Sequence, residues 1–184
     1  MRIIAGKFKG KKLNTFELST TRPTSDLVRE ALFDKIGFKI LDCTFLDLFS
    51  GTGAIGIEAL SRGAKEVCFV DKNVEAIKLI KKNLMAINVA NAQVLNCDYL
   101  SALTSFKNIK KSFDIVFLDP PYKTDFAEDV ILQIAKLNIL NENALIVWEH
   151  DISKNDYIKT NYPFATTKKY GGKFLTYINF DDLK

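Results

Sequence analysis

The feature that most constrains the fold is a regular alternation of short apolar runs with amphipathic stretches, which begins at residue 44. The apolar runs have the length of buried strands and cover Thr44–Leu48, Val67–Val70, Gln93–Leu95, Asp114–Leu118 and Ala144–Trp148. The stretches between them repeat apolar residues at helical spacing and cover Ile55–Leu60, Val74–Ile87 and Phe126–Leu137. Strands that alternate with helices predict an α/β fold with a doubly wound, mostly parallel sheet.

The two ends of the chain depart from this alternation. Near the C-terminus, Phe164–Thr167 and Phe174–Ile178 are joined around Gly171-Gly172 without a helix, which predicts an antiparallel hairpin. At the N-terminus, Arg2–Ala5 and Lys12–Thr15 flank a glycine-containing turn and predict a β-hairpin arm. We therefore expect an arm and linker over residues 1–24, followed by one domain over residues 25–184.

That domain is expected to begin with a helix. Ser25 and Asp26 supply N-terminal helix chemistry, apolar residues follow at helical spacing, and Gly37 is a plausible stop. A chain of 184 residues can bury an adequate core without disulfides or metals. Its three cysteines are widely spaced, so we expect neither a disulfide framework nor a metal site and infer a reducing cytoplasm. No apolar run reaches membrane-spanning length, and no secretory signal is recognisable.

Positive charge is concentrated in the N-terminal arm. The chain has 26 basic and 22 acidic residues. The first twelve residues contain no acid and five basic side chains, namely Arg2, Lys7, Lys9, Lys11 and Lys12. Such clustering is typical of a surface that contacts a phosphate backbone. A solvated basic terminus without a partner is the alternative.

A glycine-rich turn follows the first apolar run. Gly51-Thr52-Gly53-Ala54-Ile55-Gly56 fits the pattern Gly-x-Gly-x-x-Gly, which allows a ligand to approach the backbone at a helix N-terminus. A nicotinamide dinucleotide would place its diphosphate there. However, Asp47 ends the preceding strand, and a carboxylate at that position suits an ammonium group better than a diphosphate. The pattern therefore favours a nucleoside-like cofactor that carries an amino group.

Two further acids follow strands. Asp71 comes directly after the second strand, where a carboxylate can accept hydrogen bonds from ribose hydroxyl groups. Capping of the next helix is compatible with that role. Asp98 ends the third strand and could accept from an adenine amine, although an aspartate that only forms a turn is nearly as plausible.

Asp119-Pro120-Pro121-Tyr122, after the fourth strand, is the most specific segment. Exocyclic amines of bases are poor nucleophiles because the nitrogen lone pair is delocalised into the ring. The Asp119 carboxylate and the Pro120 carbonyl could accept both amine hydrogens and stabilise the charge that develops during attack on a sulfonium methyl group. Tyr122 offers a ring on which an extruded base could stack. A proline-stiffened surface turn is the alternative.

The remaining polar candidates are weaker. His150 is the only histidine, and without a second histidine or a nucleophile motif we expect it to be a surface residue. Trp148 and the cysteines are expected in the core or in strands.

Taken together, these segments resemble a class I S-adenosylmethionine-dependent methyltransferase. The chain is most similar to the bacterial family that methylates the exocyclic N2 of a guanine in small-subunit (16S) ribosomal RNA. The segments that carry the resemblance are Arg2–Gly6, Lys9–Leu13, Arg22–Asp26, Val28–Phe33, Leu46–Gly53, Glu58–Ala64 and Asp119–Tyr122. The Asp-Pro-Pro-Tyr segment also occurs in DNA adenine methyltransferases, whereas the N-terminal arm and the Arg-Pro-Thr segment favour the ribosomal RNA family.

The resemblance implies a Rossmann-like, seven-stranded sheet with S-adenosylmethionine over the carboxyl ends of the strands. By position it implies that the cofactor contacts Thr24, Asp47, Phe49, Gly51, Gly53, Asp71, Lys72, Asp98 and Tyr99. It implies catalytic roles for Asp119, Pro120 and Tyr122. It implies RNA contacts by Arg2, Lys7, Lys9, Lys11, Lys12 and Arg22.

We therefore expect a cytoplasmic, monomeric enzyme that methylates guanine N2 in a partly assembled small ribosomal subunit, without a metal and without a membrane partner. A DNA adenine-N6 methyltransferase is the main alternative, although the chain has little room for a separate target-recognition domain. A non-catalytic RNA-binding assembly factor that keeps the fold is the second alternative.

Overall fold

The structure, a computed structural model, describes residues 1–16, 26–120 and 126–183, with the backbone alone at residues 126 and 127. Its helices are α1 (Asp26–Ile36), α2 (Ala54–Arg62), α3 (Val74–Ile87), α4 (Tyr99–Asn108), α5 (Phe126–Leu137) and α6 (Asn155–Asn161). Its strands are β1 (Thr44–Leu48), β2 (Glu66–Asp71), β3 (Ala92–Asn96), β4 (Phe113–Leu118), β5 (Leu140–His150), β6 (Thr166–Tyr170) and β7 (Lys173–Asn179). Short 3₁₀ turns cover Gly37–Ile40, Ile152–Lys154 and Phe180–Leu183.

The seven strands of the described chain form one sheet in the order β3-β2-β1-β4-β5-β7-β6. Strands β1 to β5 pair in parallel, while β7 pairs antiparallel with β5 and with β6. This confirms the predicted mostly parallel sheet with a C-terminal antiparallel hairpin. Strand order reverses between β1 and β4, and such reversals leave a crevice at the carboxyl ends of the strands.

Each face of the sheet is covered by its own hydrophobic core. Side chains of α1, α2, α3 and the N-terminal arm pack on one face, which we call the arm face. Side chains of α4, α5 and α6 pack on the other. Phe45 of β1 and Phe117 of β4 are buried on the arm face. Because side chains alternate along a strand, the residues two positions away from each of them point to the same face. Within the described residues, no helix is long and apolar enough to cross a bilayer.

The predicted arm forms an antiparallel pairing that is shorter than expected. A single bridge joins Arg2 to Lys12, supported by a hydrogen bond of 3.0 Å from the Ile3 N–H to the Lys11 carbonyl. The side chains of Ile3 and Leu13 are buried in the arm-face core. The first sixteen residues are therefore packed against the domain, and the proposed boundary at residue 24 lies outside the described residues.

Helix α1 ends at Ile36, and Gly37 follows with φ +58°, as the sequence predicts. Two helices were not predicted, α4 and α6. Helix α4 buries Ala102, Leu103 and Phe106, but its other residues are mostly polar and include the exposed Leu100, so its apolar periodicity is weak.

The strand β6 begins later than predicted. Its expected start at Phe164 is wrong because Phe164 belongs to a turn, where the Ala165 N–H donates to the Tyr162 carbonyl at 2.9 Å. The ring of Phe164 packs edge-on against Tyr162, with the centroids 6.2 Å apart.

Candidate active site

The carboxyl ends of four neighbouring strands each carry an acidic residue. Asp71 ends β2, Asp47 lies near the end of β1, Asp119 follows β4, and Glu149 lies near the end of β5. The alternation of side chains places all four on the arm face. The register pairs Asp47 with Phe117, so Asp47 lies one side-chain layer below Asp119. The sheet thus collects four carboxyl groups along one edge of one face.

The glycine turn is held in place by two of these acids. The Gly51 N–H donates to a carboxylate oxygen of Asp71 at 2.8 Å, and the Gly56 N–H donates to Asp47 Oδ2 at 2.9 Å. These N–H groups would have to serve a diphosphate if the turn bound a dinucleotide. Since both already donate to carboxylates, the turn is a poor diphosphate site and a good site for a ligand that presents cationic or hydroxyl donors.

The glycines of the turn have different functions. Gly53 precedes α2 with φ +74°, and Gly51 has φ +52° with open space where a side chain would begin. A ligand can therefore approach the backbone closely at Gly51. Gly56 was not assigned to the site, and its role is packing, because an added Cβ would lie 2.3 Å from the Phe69 ring.

Asp47 is deeply buried, with 1% of its surface exposed. Burial raises the pKa of its carboxyl group to about 8; the hydrogen bond from Gly56 opposes this rise, and Asp119 and Asp71 add to it. A buried carboxyl group beside other acids favours a cationic partner, which would stabilise its ionised form.

Phe49 and Tyr99 are brought together beside the turn. Phe49 adopts a left-handed conformation with φ +69°, and its ring centroid lies 5.8 Å from that of Tyr99. The Tyr99 hydroxyl donates to Asp129 at 2.6 Å, which raises the pKa of Tyr99 to about 12. The two rings form an aromatic wall that suits the flat ring of a nucleoside.

The other two predicted cofactor contacts near this wall are exposed. Lys72 follows β2, and Asp98 is the N-cap of α4. Both carboxylate oxygens of Asp98 accept from Ser101, from its N–H at 3.0 Å and from its hydroxyl at 2.7 Å, and these bonds lower the pKa of Asp98. Asp98 therefore caps α4, a role that was not predicted, and its contact with adenine stays a prediction.

Asp119 lies half-buried at the carboxyl end of β4, and Pro120 behind it is buried. Burial raises the pKa of Asp119 above its usual range; Glu149 adds to this rise, and Lys173 opposes it. Tyr122, Thr24 and Arg22, which were also predicted to contribute, lie outside the described residues.

Glu149, Lys173 and His150 were not assigned to the site. Glu149 is fully buried and forms an ion pair with Lys173 from the start of β7. The expectation that His150 is a surface residue is wrong, since it is only 2% exposed. Its Nε2 lies 2.7 Å from the Thr176 hydroxyl and its ring stacks on Phe174, because the C-terminal hairpin covers the end of β5.

The five basic residues of the arm are all exposed, as RNA contacts would need to be. The turn of the arm docks on the C-terminal end of α2, where the Lys7 N–H donates to the Ser61 carbonyl at 2.7 Å. Helix α2 runs from the glycine turn to this point over nine residues, or about 13 Å. Lys7 and Lys9 thus lie about one helix length from the glycine turn, and their contact with RNA stays a prediction.

Comparison with known proteins identifies the family. The family described as Conserved hypothetical protein 95 matches residues 1–179. The ribosomal RNA small subunit methyltransferase D of Haemophilus influenzae is 37% identical over 173 residues, which cover 93% of this chain and 89% of that protein. A solved structure of a hypothetical protein from Thermus thermophilus has a TM-score of 0.82 and 30% identity, and the match covers 97% of this chain and 99% of that one.

A more distant solved structure shares the fold alone. It is a 16S rRNA methyltransferase of Thermus thermophilus in complex with AdoMet and guanosine, with a TM-score of 0.69 and 23% identity. The match covers 89% of this chain and 44% of that one. On the matches that span nearly the whole chain, the protein belongs to the ribosomal RNA small subunit methyltransferase D family.

Proposed function

We propose that this protein transfers a methyl group from S-adenosylmethionine to the exocyclic N2 amine of a guanine in 16S ribosomal RNA. The proposal is carried by one observation: Asp119 and the glycine turn lie at the same edge of the sheet, after the neighbouring strands β4 and β1. In the turn, the N–H groups of Gly51 and Gly56 donate to the carboxylates of Asp71 and Asp47. Membership of a family of ribosomal RNA small subunit methyltransferases supports the substrate class.

The residues of the turn fit S-adenosylmethionine. Asp47 is a buried acid suited to the ammonium group, and Asp71 lies where ribose hydroxyls can donate to it. Phe49 and Tyr99 provide the aromatic surface for adenine. When bound, the donor supplies an electrophilic methyl group on a positively charged sulfur.

Asp119 and Pro120 act on the target amine. Their carboxylate and carbonyl oxygens accept its two hydrogens, which draws the nitrogen toward tetrahedral geometry and stabilises its developing positive charge. The nitrogen forms a bond to the methyl carbon, and the electron pair of the broken carbon–sulfur bond stays on sulfur. The nitrogen then loses one proton, which the Asp119 carboxylate can accept and pass to water.

Guanine suits this site better than adenine. An ionised Asp119 can accept from both the N1–H and the N2–H of guanine, whereas N1 of adenine is itself an acceptor that would repel the carboxylate. This contrast favours guanine N2 over the adenine N6 of a DNA methyltransferase.

We further propose that the substrate is ribosomal RNA in a partly assembled small subunit, and that the enzyme works as a monomer in the cytoplasm. A single domain whose basic arm lies about one helix length from the glycine turn can contact a large particle at two separated points. Incubation of the protein with naked 16S RNA and with assembling particles would show which of them is methylated.

Replacement of Asp119 by Asn tests the catalytic assignment. We expect kcat to fall about 10²–10³-fold, because the neutral amide cannot accept from both the N1–H and the N2–H of guanine and provides no negative charge, while donor affinity stays within about twofold. Mass spectrometry of rRNA nucleosides should show N2-methylguanosine with the wild-type protein and its loss with D119N. N6-methyladenosine in place of N2-methylguanosine, or loss of donor binding in D119N, would contradict the proposal.

A further inference from the structure

Asp119 and Glu149 are neighbours across two parallel strands. The register pairs Leu118 of β4 with Trp148 of β5, so the next residues, Asp119 and Glu149, lie side by side. Neighbouring strands are about 5 Å apart, and both side chains point to the arm face. Two carboxyl groups this close disfavour each other's ionisation.

Among the described residues, one lysine lies at this pair. Strand β7 runs antiparallel to β5, which brings its first residue, Lys173, to the carboxyl end of β5. There Lys173 forms an ion pair with Glu149, whose side chain is fully buried, while the lysine side chain is 23% exposed. The buried Glu149 therefore holds the Lys173 ammonium group at the edge of the sheet where Asp119 lies.

The reaction needs Asp119 in its ionised form, because only a carboxylate accepts from both the N1–H and the N2–H of guanine and carries the negative charge that stabilises the attacking nitrogen. The charged groups that the described residues place around it are Asp47 from β1, Glu149 from β5 and Lys173 from β7. Two of these are acids that oppose ionisation, and Lys173 is the cation that favours it. His150 follows Glu149 in the chain, but its side chain points to the face opposite the arm face, where it forms a hydrogen bond with the Thr176 hydroxyl.

We propose that Lys173, held in place by the buried Glu149, is a positioning residue that favours the ionised form of the Asp119 carboxyl group for methyl transfer. The proposal rests on the proposed function, since it assigns Asp119 to the target amine. The effect of each residue on the pKa of Asp119 supports it, because Lys173 lowers that pKa and Glu149 raises it.

The two partners of the ion pair should have opposite effects when each loses its charge. Lys173→Met removes the cation and leaves Glu149 negative, so Asp119 should titrate about one pH unit higher. Glu149→Gln removes the anion and leaves the lysine, so Asp119 should titrate about one unit lower. The double variant E149Q/K173M should return the titration to within about half a unit of the wild type.

Carbon-13 NMR of the Asp119 carboxyl group in the donor-free protein measures this titration without any activity. The pH profile of kcat at saturating donor then tests its consequence, since the acidic limb should move in the same directions. Lys111→Met is the matched control, because it breaks the Lys111–Glu66 ion pair at the opposite end of the sheet. It should leave both readouts unchanged even if it lowers stability.

The proposal is established if the titration midpoint of Asp119 moves to higher pH in K173M and to lower pH in E149Q. It is overturned if the midpoints of both single variants stay within about 0.3 pH unit of the wild type, or if both move in the same direction. If K173M does not fold, E149Q and the double variant decide in the same way, because the double variant removes both charges and E149Q leaves only the lysine, whose side chain is 23% exposed. An inactive wild-type protein would refute the proposed function while the NMR titration still tests the ion pair.

Discussion

At the scale of single residues, the proposed contact of the donor with the buried Asp47 would link donor binding to pH. Its carboxyl group has a pKa of about 8 in the donor-free protein, against about 3.9 in an unfolded chain. Between these values the folded protein binds a proton that the unfolded chain does not. The contribution of Asp47 to the free energy of unfolding therefore decreases as the pH rises from about 4 to about 8.

Donor binding should release protons at pH 7. An ammonium group beside Asp47 favours the carboxylate, so binding lowers its pKa and donor affinity should rise as the pH approaches 8. Calorimetry in two buffers of different ionisation enthalpy measures the release as a difference in observed heat. Asp119→Asn is the control, and this variant should keep most of the proton release. Equal heats in both buffers would rule out this role for Asp47.

Gly56 shows how one residue sets the distance between an element and the sheet. Gly56→Ala would place a Cβ 2.3 Å from the Phe69 ring, so we expect a loss of roughly 1–3 kcal/mol in the free energy of unfolding. Urea denaturation measures the loss. Gly172→Ala is the control, since a Cβ there meets nothing within 4 Å, and it should change stability little. Equal effects of the two variants would contradict the packing role.

At the scale of elements, the arm is joined to α2 by buried polar contacts. The carboxylate of Glu58 accepts from the Ile4 N–H at 2.8 Å and from the Ala5 N–H at 2.9 Å. The same carboxylate is paired with Arg62 one helical turn away. Because Glu58 is buried, these bonds satisfy a charge that would otherwise destabilise the helix.

Gly6 allows the arm to approach this closely. With φ +80°, a Cβ at Gly6 would lie 1.8 Å from the Ser61 carbonyl oxygen, so Gly6→Ala should displace the arm. Gly10→Ala is the matched control, because Gly10 has φ +84° but nothing within 4 Å, and it meets only the backbone strain of about 1–2 kcal/mol.

We expect G6A to lose roughly 1–3 kcal/mol more than G10A in urea denaturation. Hydrogen exchange at the amides of Ile4 and Ala5 should become faster in G6A alone. Unchanged protection of these amides would show that the arm tolerates the substitution.

At the scale of the whole molecule, the distribution of charge determines how RNA should bind. The arm presents exposed lysines, whereas the edge of the sheet that we propose as catalytic is lined by the acids Asp47, Asp71, Asp119 and Glu149. Phosphate groups should therefore be attracted to the arm and repelled from the catalytic edge, with only the target base entering the site.

Neutralisation of Lys7, Lys9, Lys11 and Lys12 tests this arrangement. If each lysine contacts a phosphate, each contact contributes about 0.7–0.9 to the slope of the logarithm of the RNA association constant against the logarithm of the salt concentration. The loss of all four should therefore make this slope shallower by about three units. The control neutralises four exposed lysines elsewhere, Lys81, Lys82, Lys107 and Lys110, which gives the same net charge. A similar change in both variants would show that net charge, and not the arm, sets the slope.

Several parts of the fold and the site were predictable from residue patterns. The bounds of β1, α3 and α5 agree with those expected, because β1 is a short apolar run and the two helices repeat apolar residues at helical spacing. The gathering of Asp47, Asp71 and Asp119 at one edge was also predictable, since the carboxyl ends of parallel strands meet there. The capping role of Asp98 was not predicted, because the helix it begins has weak periodicity and was itself not predicted.

Local sequence thus determined the order of elements, the glycine turn and the acids that follow the strands, because each depends on neighbours within a few residues. Only the tertiary structure decided that His150 is buried, that Glu149 holds Lys173 beside Asp119, and that the arm docks at the far end of α2. These features join segments more than twenty residues apart. They depend on which strands become neighbours, and this is set by how the helices and the hairpin pack as a whole.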